Sequence, residues 1–386
     1  MRAGLAEEFQ HRFGGPATCG ARAPGRVNLI GEHTDYNEGL VLPCAIDRDT
    51  VVLAAPRSDA RVRVYSRERG EERSFEAGDL RRLGDWLDYV KGVWFALAEA
   101  GLEAGGIDLA IASEVPPESG LSSSAALELA LVTAVDACRA LGLDALRRAR
   151  LAHRSESGFV GVACGIMDPF ASGLGRRDCA LRIDCRSLEV RPVPLPGDRL
   201  RLLIAHSGVE RPLRSSGYGE RREQCRRALA AAVAAGVAPP GARALRDLGP
   251  ERLPALARVL DPVLFRRVRH VVSENRRVDA VCGALAAGDL EAAGERLREG
   301  MRSLREDFEV STPELDALCE IADAQPGVYG SRLTGAGFGG CTVHLVAAAA
   351  AAEAADALAL GFERRGGRRP RVLAARAADG AAPLSL

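Results

Sequence analysis

Lysine is almost missing from this chain of 386 residues: among 52 basic residues only Lys91 is not an arginine. A Walker-type phosphate loop needs Gly-Lys followed by Ser or Thr, and Lys91 is followed by Gly92, so that device is excluded. Lys91 also stands in Trp-Leu-Asp-Tyr-Val-Lys, away from the Val-Ala-Ile-Lys strand of a protein kinase, and nothing there marks a Schiff-base lysine. Excess charge is missing as well. Acidic residues also number 52, so a broad phosphate-tracking surface is disfavoured and no nucleic-acid partner is expected. Neither Cys-x-x-Cys nor His-Glu-x-x-His occurs, which leaves the ten cysteines and six histidines without a zinc pattern. The scattered cysteines read as reduced, mostly buried thiols of a cytoplasmic protein. Residues 1–15 hold no apolar run of the signal-peptide kind. The alanine-rich stretch 346–360 is interrupted by Glu353 and Asp356, so no membrane partner is expected. There is no internal repeat.

What is present is an ordinary globular composition, 47% hydrophobic and 27% charged, over a length suited to two or three domains. Strand patterns occur at 50–55, 61–66 and 107–112, the last ending at Val115-Pro116-Pro117. Helical patterns follow at about 123–141 and 144–158, then a hairpin over 178–184 and 188–193. Three prolines within 191–197 interrupt both periodicities and mark the best domain boundary. Beyond it come a strand at 200–205 and a helical tract over about 219–323, broken at Pro239-Pro240, Pro250 and Pro262. A strand at 330–334, a glycine turn, a strand at 341–346, a helix at 348–362 and a strand at 371–375 close the chain. The expected class is α+β.

Four segments carry chemistry. Gly120-Leu121-Ser122-Ser123-Ser124-Ala125-Ala126 enters a helix, where unpaired N–H groups and the positive dipole end attract anions. A serine N-cap explains one of the three serines, not all of them. The second segment runs Ala23-Pro-Gly-Arg26-Val-Asn28-Leu-Ile-Gly31-Glu32-His33-Thr34-Asp35-Tyr36-Asn37. Two carboxylates around an imidazole suit several sugar hydroxyls. An exposed polar turn is the plainer reading, but Arg26 inside an apolar strand demands a buried partner. The third is Cys164-Gly165-Ile166-Met167-Asp168-Pro169-Phe170. Asp168, biased to extended backbone by Pro169, can stay ionised beside an arginine and accept a hydroxyl proton, or simply cap a turn. The fourth, Leu333-Thr334-Gly335-Ala336-Gly337-Phe338-Gly339-Gly340, is a glycine-rich turn of low specificity alone.

Together the four resemble one family. Gly-Arg-Val-Asn-Leu-Ile-Gly-Glu-His-Thr-Asp-Tyr-Asn and Cys-Gly-Ile-Met-Asp resemble the signature and catalytic-aspartate segments of galactokinases. The serine and glycine segments resemble motifs shared by the galactokinase, homoserine, mevalonate and phosphomevalonate kinase superfamily, and the likeness spans about 9–375. The resemblance implies two α+β domains, 1–193 and 194–386, with nucleotide and sugar between them. It implies ATP-dependent phosphorylation of the C1 hydroxyl of galactose, with Mg²⁺, by a monomer. Asp168 would be the base and Arg26 its partner. Glu32, His33, Thr34, Asp35, Gly165 and Tyr218 would bind the sugar, with Glu32 facing the C6 hydroxyl and thereby disfavouring galacturonate and arabinose. Glu118, Ser119, Gly120, Leu121, Ser122, Ser123 and Ser124 align with the phosphate loop, Ser66 and Trp86 with nucleotide contacts, and Ser124 and Glu156 with the Mg²⁺ ligands. For Ser66 and Trp86 a strand-end hydroxyl and a core aromatic explain the residues equally well. Glu118 and Ser119 stand where the family carries glycines, and Pro169 where it carries glutamine. A kinase for N-acetylgalactosamine, arabinose or galacturonate is the nearest alternative. A non-catalytic sugar sensor is another, against which the intact Ser122–Ala126 run argues.

Overall fold

The computed structural model describes residues 2–117, 120–162, 164–209, 216–366 and 368–386. The first half runs α1 (Arg2–Phe13), β1 (Cys19–Asn28), β2 (Leu40–Val41), β3 (Pro43–Pro56), β4 (Arg61–Ser66), β5 (Glu71–Glu76), α2 (Leu87–Glu99), β6 (Ile107–Ser113), α3 (Ser123–Arg139) and α4 (Ala145–Arg154). A π-helical turn, Ser155–Val160, extends α4 and leads to α5 (Met167–Leu174), β7 (Cys179–Asp184) and β8 (Val190–Pro194). The second half runs β9 (Leu200–His206), α6 (Ser216–Ala234), α7 (Leu253–Val259), α8 (Pro262–Ala286), α9 (Leu290–Glu306) and α10 (Pro313–Asp323). It ends with β10 (Val328–Thr334), β11 (Cys341–Ala347), α11 (Ala351–Arg364), β12 (Val372–Ala375) and β13 (Ala382–Pro383).

A six-stranded sheet, ordered β13-β1-β3-β6-β4-β5, organises the first half, and a four-stranded sheet, β10-β11-β9-β12, the second. A small third sheet, β2-β7-β8, lies beside them. Pro192 and Pro194 sit on β8, an edge strand of that sheet, where a missing N–H costs no ladder bond. The last strand returns to the first sheet: β13 pairs with β1. Leu87, Val90, Trp94 and Leu97 recur at helical spacing on α2 and bury with Leu129, Val132 and Val135 of α3 against the first sheet. Leu5 and Phe9 of α1 cover its other face with Val51, Leu53 and Tyr65. A third cluster joins the halves, with Val27, Leu29 and Ile30 packing among Leu202, Ile204, Val278 and Val343.

Two local expectations are corrected. Asp168 is helical, in the first turn of α5. First-turn N–H groups have no intrahelical acceptor, so Pro169 costs the helix nothing there. Cys19 and Cys138 are joined as a disulfide with Cα atoms 5.6 Å apart, and eight cysteines are free. The last turn of α3 delivers Cys138 to the first residue of β1, a meeting that a separation of 119 residues hides in the sequence.

Candidate active site

Arg26 stands near the end of β1, where the register against β3 shifts between Pro24 and Arg26. Such an irregularity re-aims a side chain. The Arg26 backbone N–H donates across to Leu121 O at 3.0 Å, which ties the strand to the serine segment. Its guanidinium donates to Asp168 Oδ1 from Nε at 2.8 Å, with Nη2 2.6 Å away, and from Nη1 to Gly120 O at 2.6 Å. Asp168 Oδ2 accepts from Ser122 Oγ at 2.5 Å. The carboxylate is therefore held on both oxygens, one by the arginine and one by the serine loop. Its side chain remains 26% exposed, enough to be reached.

The serine loop opens directly onto the start of α3. Gly120 and Ser122 both have positive φ, 77° and 58°, and Ser122 makes no side-chain cap to α3 because its hydroxyl points to Asp168. The plain N-cap reading of Ser122 therefore fails. Ser124, one step into α3, donates to Glu156 Oε1 at 2.7 Å. Glu156 sits on the π-helical turn, a distortion often found at functional sites. Burial raises its carboxyl pKa, against the hydroxyl bond from Ser124. Glu128, one turn beyond Ser124 on the same face of α3, accepts from Ser155 Oγ at 2.7 Å. Burial and the neighbouring Glu156 push the Glu128 carboxyl well up, and its Oε2 has no partner among the described residues.

Among the described residues no group of three or more His, Cys, Asp or Glu could hold a metal. Mg²⁺ asks less, keeping most of its waters and using one or two protein oxygens. Ser124 and Glu156 are adjacent hard-oxygen donors beside Asp168, and neither Glu156 nor Glu128 makes a salt bridge among the described residues, so the donor set fits that ion.

The turn after β1 holds the polar cluster. Gly31 (φ 103°) and His33 (φ 64°) adopt left-handed backbone before the short helical turn Asp35–Asn37. His33 Nε2 is 3.0 Å from Ala336 O, so Nε2 carries the proton and Nδ1 accepts from Tyr36 Oη at 3.0 Å. Its ring lies 4.7 Å from Phe308 and 5.6 Å from Tyr218. Burial pushes the Asp35 carboxyl up to about 6, opposed by a backbone amide bond and reinforced by Asp168. Gly165 leaves room for it, because a Cβ there would stand 2.0 Å from Asp35 Oδ2 and displace the carboxylate. The Tyr218 phenol is raised by burial and then by Asp35, Cys164 and Asp168, which puts it among the same groups. His33, Asp35, Gly165, Tyr218, Asp168 and Arg26 are thus brought together.

Two expected sugar ligands are not. Thr34 is fully buried and its hydroxyl lies 2.8 Å from Gly31 O and 2.6 Å from Leu40 O, closing its own turn. Glu32 is 2% exposed, and both its oxygens are taken inside the protein. Oε1 accepts from Asn28 Nδ2 at 2.9 Å and Oε2 from Arg332 Nη2. Glu32 thus meets Asn28 and Arg332 inside the protein. Ser66 and Trp86 do share a corner, since Ser66 pairs with Glu71 across β4 and β5 and Trp86 Nε1 donates to Glu71 Oε2 at 2.9 Å. Leu121 contributes its carbonyl to β1 and its side chain to the core. Glu118 and Ser119 lie outside the described residues. Sequence reasoning misses Glu128, although an acid inside Ala-Ala-Leu-Glu-Leu-Ala-Leu, four residues after Ser124, is a legible sign. It also gives Tyr36 no role within its own motif.

Residues 7–56 match the galactokinase galactose-binding signature, 88–176 the GHMP kinases N terminal domain and 283–363 the GHMP kinases C terminal family. A galactokinase of Roseiflexus sp. (strain RS-1) is 45% identical over 377 residues, covering 97% of this chain and 95% of the relative. One from Chloroflexus aurantiacus is 44% identical over 378 residues, covering 97% and 96%. The crystal structure of Lactococcus lactis galactokinase complexed with galactose superposes with a TM-score of 0.93 at 36% identity, covering 99% of each chain. Methanococcus jannaschii mevalonate kinase, at 17% identity and a TM-score of 0.66 over 93% and 98% of the chains, shares the fold. Sequence, fold and site geometry agree, and the chain belongs to the galactokinase family of GHMP kinases, a family of sugar kinases.

Proposed function

We propose that the chain transfers the γ-phosphoryl group of ATP to the C1 hydroxyl of D-galactose, acting as a monomer. Membership of the GHMP kinases implies the use of ATP. The observation that carries the reading is the Arg26–Asp168–Ser122 chain, which joins a reachable carboxylate to an anion-binding helix start through an arginine. In this reading Asp168 receives or orients the C1 hydroxyl proton, and Arg26 stabilises charge that builds up during transfer. Gly120 to Ser124 and the start of α3 hold the phosphates, joined by Glu118 and Ser119. Ser124 and Glu156 would hold Mg²⁺, whose charge when bound screens the phosphate oxygens. His33, Asp35, Gly165 and Tyr218 hold the sugar, Glu32 and Thr34 support their turn, and Ser66 and Trp86 line the nucleotide side. The domains divide near residue 193, with β13 returning to the first.

Phosphoryl transfer needs positioning and charge neutralisation rather than a lysine, which agrees with a chain that has only Lys91. The test is galactose-dependent release of ADP from the full chain, with N-acetylgalactosamine, arabinose and galacturonate alongside. Turnover of galactose above the other three supports the proposal. ADP release with another sugar only, or galactose binding without release, overturns it.

A further inference from the structure

Arg332 on β10 and Glu274 on α8 stand outside the sugar, phosphate and metal positions, yet both are fully buried against the sugar turn. One nitrogen of Arg332, Nη2, donates both to Glu32 Oε2 and to Glu274 Oε1, the latter at 2.7 Å. Glu274 Oε1 also accepts the Gly31 backbone N–H at 3.0 Å, and Arg277 donates to Glu274 Oε2 at 2.8 Å. His270, one turn before Glu274, stands 3.1 Å from Glu32 O. At the far end of the turn Asn275 Oδ1 accepts the Leu40 N–H at 2.7 Å. Residues 31, 32 and 40 are therefore gripped from one face of α8 and from β10, and His33 and Asp35 stand between the grips.

We propose that Arg332 and Glu274 are positioning residues for the sugar: a buried carboxylate–guanidinium–carboxylate bridge through which the second half of the chain sets where His33 and Asp35 stand. The inference deepens the galactokinase reading and rests on it. A buried ion triad is a poor stabiliser but a strict registrar, because its directional bonds tolerate little displacement. Gly300 on α9 shows how closely the bridge is enclosed, since a Cβ there would stand 2.4 Å from Arg332 Nη1. The turn's own bonds, from Thr34 Oγ1 to Gly31 O and Leu40 O and from Asn37 Nδ2 to His33 O, fix its local shape but do not tie it to the second half of the chain.

The experiment compares Glu274→Gln with the wild type for the KM of galactose, the KM of ATP, and backbone amide exchange over residues 31–37. The expected result is a galactose KM raised about tenfold, as for loss of one charged hydrogen bond, an ATP KM within about twofold, and faster exchange in the turn. Arg182→Ala, which breaks the Arg182–Asp279 contact between β7 and the same helix, should leave both KM values unchanged. If Glu274→Gln does not fold, Glu274→Asp, which keeps the charge but shortens the reach, is read in the same way. Equal rises in both KM values, or a galactose KM and an exchange rate both unchanged, would overturn the proposal. A wild type that does not use galactose would sink the assigned reaction instead, while exchange in the turn still decides the positioning role.

Discussion

Glu32 and Glu274 share one buried guanidinium, Arg332, whereas Glu128 and Glu156 on the phosphate side have serine hydroxyls and no salt bridge among the described residues. Burial acts on both pairs in the same direction, raising the cost of a negative charge. The response differs. At the sugar turn the pair splits: against burial, Arg332 and Arg277 hold Glu274 well below the usual carboxylate range, while burial outweighs Arg332 at Glu32 and raises it to about 7. On the phosphate side Glu128 and Glu156 are both raised. A carboxylate cluster closed by its own cation is architecture. One with no salt bridge of its own among the described residues is suited to a cation that arrives with the ligand, and this is the physical basis for proposing Mg²⁺ at Ser124 and Glu156.

Asp168 lies between these extremes, paired with Arg26 yet reachable, and changing it should have the largest effect. Asp168→Asn is expected to lower kcat by about 100- to 10,000-fold while galactose binding, measured by calorimetry, persists. A kcat near that of the wild type would remove Asp168 as the base. The two buried clusters separate most sharply in stability. Arg332→Met, which leaves two carboxylates uncompensated, should cost about 3–5 kcal/mol in urea unfolding. Glu128→Gln, which removes an ionisable group that burial already disfavours, should change stability by less than about 1 kcal/mol. Similar losses in both variants would erase the distinction. A smaller effect is expected at Glu156: Glu156→Ala should raise the Mg²⁺ concentration for half-maximal rate by about tenfold and leave galactose binding intact. Unchanged Mg²⁺ dependence would take Glu156 out of the site.

The smallest effect concerns pH. Asp35 is pushed up to about 6, so it holds its proton until the medium rises past that value. Its ionised form is the stronger acceptor, whereas the protonated form turns one oxygen into a donor. The galactose KM should therefore be flat above about pH 7 and climb several-fold as pH falls through about 6. Asp35→Asn should abolish that climb at the expense of a high KM throughout. A climb that persists in this variant would assign the titration to another group.

Features that depend on near neighbours are legible in the order of residues alone. The 61–66 strand, the helix beginning at Ser123 and the hairpin around 178–194 follow from side-chain period, β-branched content and proline punctuation. The helix start after Gly120 is legible for the same reason, since small residues and serines mark where a helix opens. Helix α2 carries the same kind of signal, with Leu87, Val90, Val93 and Leu97 at helical spacing, although Lys91 and Gly92 between them are buried as well. Helix α5 is hidden by Pro169, whose restriction on the preceding residue outweighs helix formation in a sequence but not in the packed first turn, where Phe170 and Ala171 are fully buried.

The chain by itself determined its inventory: a carboxylate at 168, an arginine inside a strand at 26, a serine-rich helix start, a polar turn at 31–37, and hardly any lysine. The tertiary structure decided which group each of them serves. Glu32 and Thr34 are near neighbours in sequence, yet a guanidinium 300 residues away bonds one and the turn's own carbonyls bond the other. The local pattern states what a side chain can do, while the partner with the best geometry and the driest surroundings settles what it does. For buried charges that partner is chosen by the cost of leaving water, a quantity set by neighbours brought in from the whole length of the chain.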